Sequence, residues 1–217
     1  MGGAGAGGYG AVLSDRRFAP WLALHAVFAL VFLQFLAAGS IDMARHGLSP
    51  SAIGMALAVN CALIVSLQPW ATTRLARLAP ERVLAGAAVL LGLGYGGYAL
   101  CATAWQYALA TAVWSLGEIA YMPVAATRVA DLAPAGLRGR YQGAYALSWG
   151  VAGFAAPAIG PSLLERFGPV ALWGGCLAVA AGVALGQLAV ARAARQPGEP
   201  AAEGTAAARA ITKETCP

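Results

Sequence analysis

The stretch Ala112-Val-Trp-Ser-Leu-Gly-Glu-Ile-Ala-Tyr-Met-Pro123 decides how this chain reads. It is apolar almost throughout, yet it holds one acid, Glu118, at its centre. From Val83 to Thr127 that glutamate is the only charged residue. A single helix over those residues would be about 67 Å long, against a hydrocarbon core of about 30 Å. The run must fold back on itself, and Ala102-Thr-Ala-Trp-Gln106 supplies the turn. An ionised carboxylate in hydrocarbon is costly, so an acid kept inside such a span is a functional candidate by default. No other acid lies well inside a predicted span.

The rest of the chain has the same character. Of 217 residues, 59% are hydrophobic and 11% charged, with a mean hydropathy of +0.67. A soluble domain of this size needs more polar residues to cover its surface. The charges cluster between long uncharged runs, the pattern of a polytopic all-α membrane protein in contact with the lipid bilayer. The net charge of +5 comes from basic residues flanking those runs. The positive-inside rule explains them better than nucleic-acid binding does. Cys61, Cys101 and Cys176 lie in apolar runs, Cys216 lies in the tail, and His25 and His46 are far apart. No metal or cofactor site is expected from them. Gly-x-Ser-x-Gly, His-Glu-x-x-His and a phosphate loop are all missing, which argues against an enzyme.

Six spans are predicted, at about 18–41, 51–72, 83–101, 105–127, 141–163 and 170–190, within a bundle over 18–191. The glycine-rich segment 1–17 and the Ala/Gly/Pro/Glu tail 192–217 are expected to be disordered. Asp42, Arg45, His46, Ser49 and Pro50 read as a polar loop after the first span. Six spans put both termini on one side. Of the 14 basic residues, only Arg45 and Arg166 fall on the other side. Both termini are therefore expected in the cytosol, with the bundle in the cell membrane.

At helical spacing Trp114, Glu118 and Tyr121 share a face. If that face lines a water-filled cavity, Glu118 takes up and releases a proton there. The alternative is a structural acid paired with a hydroxyl or backbone group. Pro123 is a gating hinge or a proline of the kind membrane helices commonly carry. Tyr145 and Trp149, with Tyr141 and Gln142, form an aromatic wall for an amphiphilic substrate or an interfacial belt. The belt suits Tyr141 better than the deeper Trp149. Gln34 and Asn60 line the same cavity or tie helices together. Gly92-Leu-Gly94-Tyr-Gly96-Gly97 offers a small-residue face for close helix packing.

Three passages carry a family resemblance. Gln68-Pro-Trp-Ala-Thr-Thr-Arg74-Leu-Ala-Arg77-Leu-Ala-Pro-Glu-Arg82 resembles the degenerate second copy of a basic cytosolic loop motif, without the motif's glycine and aspartate. Trp114-Ser-Leu-Gly117-Glu118, with Ala130-Asp131-Leu-Ala-Pro134 and Arg138-Gly139-Arg140-Tyr141-Gln142-Gly143, resembles a fourth-to-fifth helix passage. The run from Gly150 through Pro157-Ala-Ile-Gly160-Pro161 resembles the repeat counterpart of an antiporter motif. Together they make the chain similar to the C-terminal six-helix half of a major facilitator superfamily transporter of the drug-efflux type. The resemblance implies alternating access around a site between two six-helix halves. It implies gating roles for Arg74, Arg77, Asp131, Arg138 and Arg140, and helix kinks at Pro157 and Pro161 as well as Pro123. It also implies either a truncated copy of such a transporter or a half that works with a partner, a second six-helix half or a second copy of this chain.

The function expected is transmembrane movement of a small organic molecule, with proton coupling through Glu118. The competing reading is a membrane interaction subunit or remnant that packs against other helices without transporting.

Overall fold

The computed structural model describes residues 9–195. Every regular element among them is helical, as long apolar runs require when the backbone must satisfy its own hydrogen bonds. A short helix, α1 (Tyr9–Leu13), leads into the bundle. Then come α2 (Phe18–Arg45), α3 (Pro50–Leu75), α4 (Pro80–Tyr98), α5 (Ala104–Leu132) and α6 (Arg138–Arg195). By length and composition α2, α3, α5 and α6 can each cross a membrane.

Helix α6 is broken at Gly168, where φ is 81° and ψ 177°. Glycine tolerates that conformation and other residues rarely do. The chain reverses there. The first arm, 138–167, runs alongside α2 in the same direction: the Tyr141 hydroxyl meets Asp15 and Leu164 meets Arg45. The second arm, 169–195, returns the other way, with Trp173 beside Asp42 and Gly186 against Leu24.

Local chemistry sets the other boundaries. Thr103 and Gln106 form a reciprocal capping box at the start of α5, and the Gln106 carboxamide accepts from the backbone of Ala102 and Thr103 at 2.8 and 3.0 Å. The turn between α4 and α5 is thus fixed at Ala99–Thr103, earlier than the 102–106 read from the sequence. Ser49 caps α3 with Pro50 in its first turn. Helix α2 stops at Gly47, whose φ is 73°. There Gly47 N–H reaches Ala44 O at 2.9 Å and Leu48 N–H reaches Met43 O at 3.1 Å, the paired bonds of a Schellman ending.

That ending corrects one sequence expectation. Asp42 is not in a loop. The helix carries through a π turn at Phe35–Gly39 and on to Arg45, which leaves Asp42 inside it and fully buried. A second correction concerns 9–17, expected to be disordered. Val12 is fully buried, and the Asp15 carboxylate accepts from the Tyr141 hydroxyl at 2.6 Å. A third concerns the start of the tail expected to be disordered over 192–217: residues 192–195 continue helix α6. The expectation of disorder for 1–8 and for the rest of that tail, 196–217, lies outside the described residues. Backbone geometry stays helical through Pro123, Pro157 and Pro161, and Gly168 is the interior break in α6.

In a bilayer, helices gain little from burying apolar surface against each other, because lipid is equally apolar; close packing and interhelical hydrogen bonds hold them instead. Helix α4 shows both. A Cβ on Gly94 would stand 2.6 Å from the Trp114 backbone nitrogen, and one on Gly117 would stand 2.6 Å from Ala87 O. Those contacts press α4 on α5. Gly92 and Gly96 face Ala180 and Leu177 on the second arm of α6. The small-residue face is therefore consumed within the chain, on two sides of one helix. Tyr95 adds a hydrogen bond to Phe32 O at 2.6 Å, joining α4 to α2.

Candidate functional site

Asn60 and Glu118 face each other across α3 and α5. Asn60 Nδ2 donates to Glu118 Oε2 at 2.7 Å and lies 2.9 Å from Ser115 Oγ. The serine hydroxyl is itself committed to Thr111 O at 2.7 Å, one turn back on α5. Asn60 is buried and Glu118 half-buried, so the carboxyl sits at the edge of the α3–α5 seam. The group that grips it is an amide, not a cation. An amide N–H on Oε2 is satisfied whether the carboxyl is ionised or carries its proton on Oε1.

Trp114 and Tyr121, on the same helix face, point into the core. Trp114 is 2% exposed; its indole N–H donates to the Tyr98 hydroxyl at 2.7 Å, and its ring packs on Phe35 at 5.0 Å. Tyr121 stacks flat on Phe28 at 3.5 Å. Both brace α5 against α2 and α4 rather than facing open space.

A second group assembles around a residue the sequence reading left aside, His25 on α2. Its ring is fully buried and stacks on Tyr145 at 4.5 Å and on Trp21 at 5.4 Å, with the Trp149 edge 5.4 Å away. Nδ1 shares a hydrogen bond with the Tyr121 hydroxyl at 3.1 Å, while Nε2 has no protein partner. Tyr145 and Trp149 keep one side open. Phe32 links this cluster to the other, touching Trp149 at 5.6 Å and Trp114 at 6.0 Å. The sequence did hold a signal: Trp21, His25, Phe28 and Phe32 recur at one-turn and two-turn spacing on one stripe.

Gln34 stands apart from both groups. It is 3% exposed, donates to Leu30 O of its own helix at 3.1 Å, and presses its carbonyl on Gly160 of the first arm. Leu30, Gln34, Leu163 and Cys176 line a small apolar hollow of about 160 Å³ beside it.

The loop residues gather at the end of the bundle near the N-terminus. Arg74 lies over the Trp70 ring at 5.5 Å. Arg77 and Arg138 are exposed, and Arg140 is partly exposed. Asp131 lines a cleft of about 540 Å³ together with Arg16, Arg17 and Arg128. Arg128 pairs with Glu81 at 2.8 Å and so staples α5 to α4. Pro123 borders an adjoining hollow of about 200 Å³ with Thr72, Thr127 and Asp131.

At the far end, Asp42 receives the Tyr107 hydroxyl at 2.8 Å and the Trp173 indole N–H at 2.9 Å, both on Oδ2. A buried acid is thus held from α5 and from the second arm of α6.

The sequence profile described as the Major Facilitator Superfamily matches residues 20–215. No curated protein matches the chain.

Proposed function

This chain belongs to the Major Facilitator Superfamily, and we propose that it moves a small organic molecule across the cell membrane by alternating access. In this reading α2 to α5 and the two arms of α6 are six spans, with both termini cytosolic. They form one half of the transport unit. The other half comes from a further six-helix segment or from a second copy of the chain. Tyr145 and Trp149 offer the substrate an aromatic surface backed by His25, and the basic residues at the cytosolic end contribute to gating.

The observation that carries proton coupling is the Asn60–Glu118 pair. A half-buried acid in an apolar helix, gripped by an amide that suits either protonation state, can gain and lose a proton without breaking its contact. That is what an efflux antiporter needs of its coupling residue. The amide also keeps the carboxyl oriented while the site opens to either side.

The test is reconstitution of the chain in liposomes, alone and with any further six-helix segment encoded beside it. Counterflow is then measured with a panel of radiolabelled aromatic cations and neutral metabolites. Accumulation of at least one compound class in the assembled form is expected. Failure of every assembly to accumulate any of them would contradict the transport reading.

A further inference from the structure

The cleft of about 540 Å³ at the N-terminal end of the bundle lies where three helices meet. Arg16 and Arg17 enter it from the residues leading into α2, Arg128 and Asp131 from the last turns of α5, and Val190 and Ala193 from the second arm of α6. An arginine carries its charge at any pH a cell meets. These cations are unevenly matched. Arg128 pairs with Glu81 at 2.8 Å, yet its Nε–H is buried without a hydrogen-bond partner. Asp15 attracts Arg17, but that carboxylate already accepts from the Tyr141 hydroxyl and from the Arg17 and Phe18 backbone. Among the described residues Arg16 has no acidic partner, and Asp131 pairs with none of the three guanidiniums beside it. The cleft therefore holds cations and an acid apart across open space.

Its walls are apolar. Pro20, Leu132 and Val190 stand beside the charged groups. From Ala193 the exposed residues Ala189, Leu185 and Gly182 follow back along the second arm of α6. Their three- and four-residue spacing puts them on one face, and Leu185 on it is 70% exposed. A shallow apolar track thus leads away from the cleft along a helix apolar enough to cross a membrane.

We propose that this cleft binds the phosphodiester of an anionic glycerophospholipid, in the leaflet at the end of the bundle near the N-terminus. Arg16 and Arg17 take the phosphate oxygens, as guanidiniums do with charge-assisted hydrogen bonds. Asp131 accepts from the hydroxyls of a glycerol headgroup and repels a more highly charged soluble phosphate. An acyl chain lies along the track through Ala189 and Leu185. Basic pockets between membrane helices take anionic headgroups in this way. One headgroup then ties α2, α5 and the second arm of α6 together, and a ligand that binds only the folded state stabilises it.

The test does not need transport, so it can fail independently of the proposed function. The full chain in neutral-detergent micelles is titrated with phosphatidylglycerol, phosphatidylcholine, phosphatidylethanolamine or inorganic phosphate. Native mass spectrometry counts retained lipid, and thermal unfolding reads stabilisation. Phosphatidylglycerol is expected to be retained and to raise the melting temperature; the two zwitterionic lipids and inorganic phosphate should do neither. Arg16→Gln/Arg17→Gln should weaken phosphatidylglycerol binding by about tenfold or more. Both side chains are exposed, and the melting temperature without lipid checks that the variant folds. Arg77→Gln, an exposed arginine outside the cleft, should leave binding unchanged. Equal retention of the zwitterionic lipids would overturn the anionic class, and equal stabilisation by inorganic phosphate would make this a free-anion site. Equal weakening by Arg77→Gln would reduce the effect to diffuse surface charge and overturn the site.

Discussion

Asn60 on α3 donates to Glu118 on α5 at 2.7 Å, so the acid in the middle of an apolar helix is oriented by a neighbouring helix rather than by its own. Asn60→Ala removes that donor and leaves Ser115 Oγ with only its own-helix bond. An interhelical hydrogen bond in a membrane is worth about 0.6 kcal/mol on average, so the stability loss should be small. Gradient-driven transport should fall severalfold. Thermal unfolding in detergent and uptake in liposomes separate the two effects; unchanged uptake would make the amide dispensable.

The packing of α4 on α5 predicts an asymmetry between glycines. Gly94→Ala places a methyl 2.6 Å from backbone and Cβ atoms of Trp114, which cannot rotate away. Overpacking of that kind costs about 1–3 kcal/mol. Gly150→Ala meets nothing within 4 Å, and an alanine there gains up to about 1 kcal/mol of helix propensity. Melting curves should order the proteins as Gly150→Ala, wild type, Gly94→Ala. A Gly94→Ala protein as stable as wild type would contradict the close approach.

Asp15 makes stability depend on pH. Burial pushes its carboxyl up, but hydrogen bonds from Tyr141 and from the Arg17 and Phe18 backbone, with the Arg17 charge, hold it below the ordinary carboxylate value. A folded value below the unfolded one, about 3.9, gives stabilisation that is complete above the unfolded value. It is lost as pH falls through the folded value. Asp15→Asn should melt lower than wild type at pH 7, and the gap should close in acid. A gap independent of pH would show that the charge is not what Tyr141 holds.

Topology is tested by single cysteines at exposed positions, in a background with the native cysteines replaced. Ser49→Cys and Arg166→Cys should react with an impermeant thiol reagent from outside the cell, and Arg77→Cys and Arg138→Cys only after lysis. External labelling at Arg77→Cys would reverse the assignment of the termini.

Much of the helical layout was legible because hydrocarbon length and charge-free runs leave few choices. The fold-back between Val83 and Thr127 followed from length alone, and the Gly92–Gly97 face announced close packing. The Gly168 reversal lies in the gap between the spans read at 141–163 and 170–190. Other features depended on tertiary contacts. Asp42 was read as a loop residue because a charge after an apolar run normally marks the membrane edge. The glycine of Arg45-His46-Gly47 is the C-cap signal that places the helix end beyond Asp42. His25 looked like a lone polar residue, and only the convergence of Trp21, Tyr121, Tyr145 and Trp149 from three helices shows its setting. Spacing put Trp114 and Tyr121 on the face of Glu118, but the crossing of α2 over α5 turns their rings into the core.

Proton coupling through Glu118 is tested most directly by Glu118→Gln, which keeps the side chain's shape and its contact with Asn60 while fixing it neutral. Substrate movement driven by a pH gradient and substrate exchange without a gradient are measured in the same assembled liposomes. Gradient-driven movement should drop at least tenfold, while exchange persists and the melting temperature stays near that of wild type. Full gradient-driven movement by the Glu118→Gln protein would contradict the coupling role and leave the carboxyl as a tie between α3 and α5.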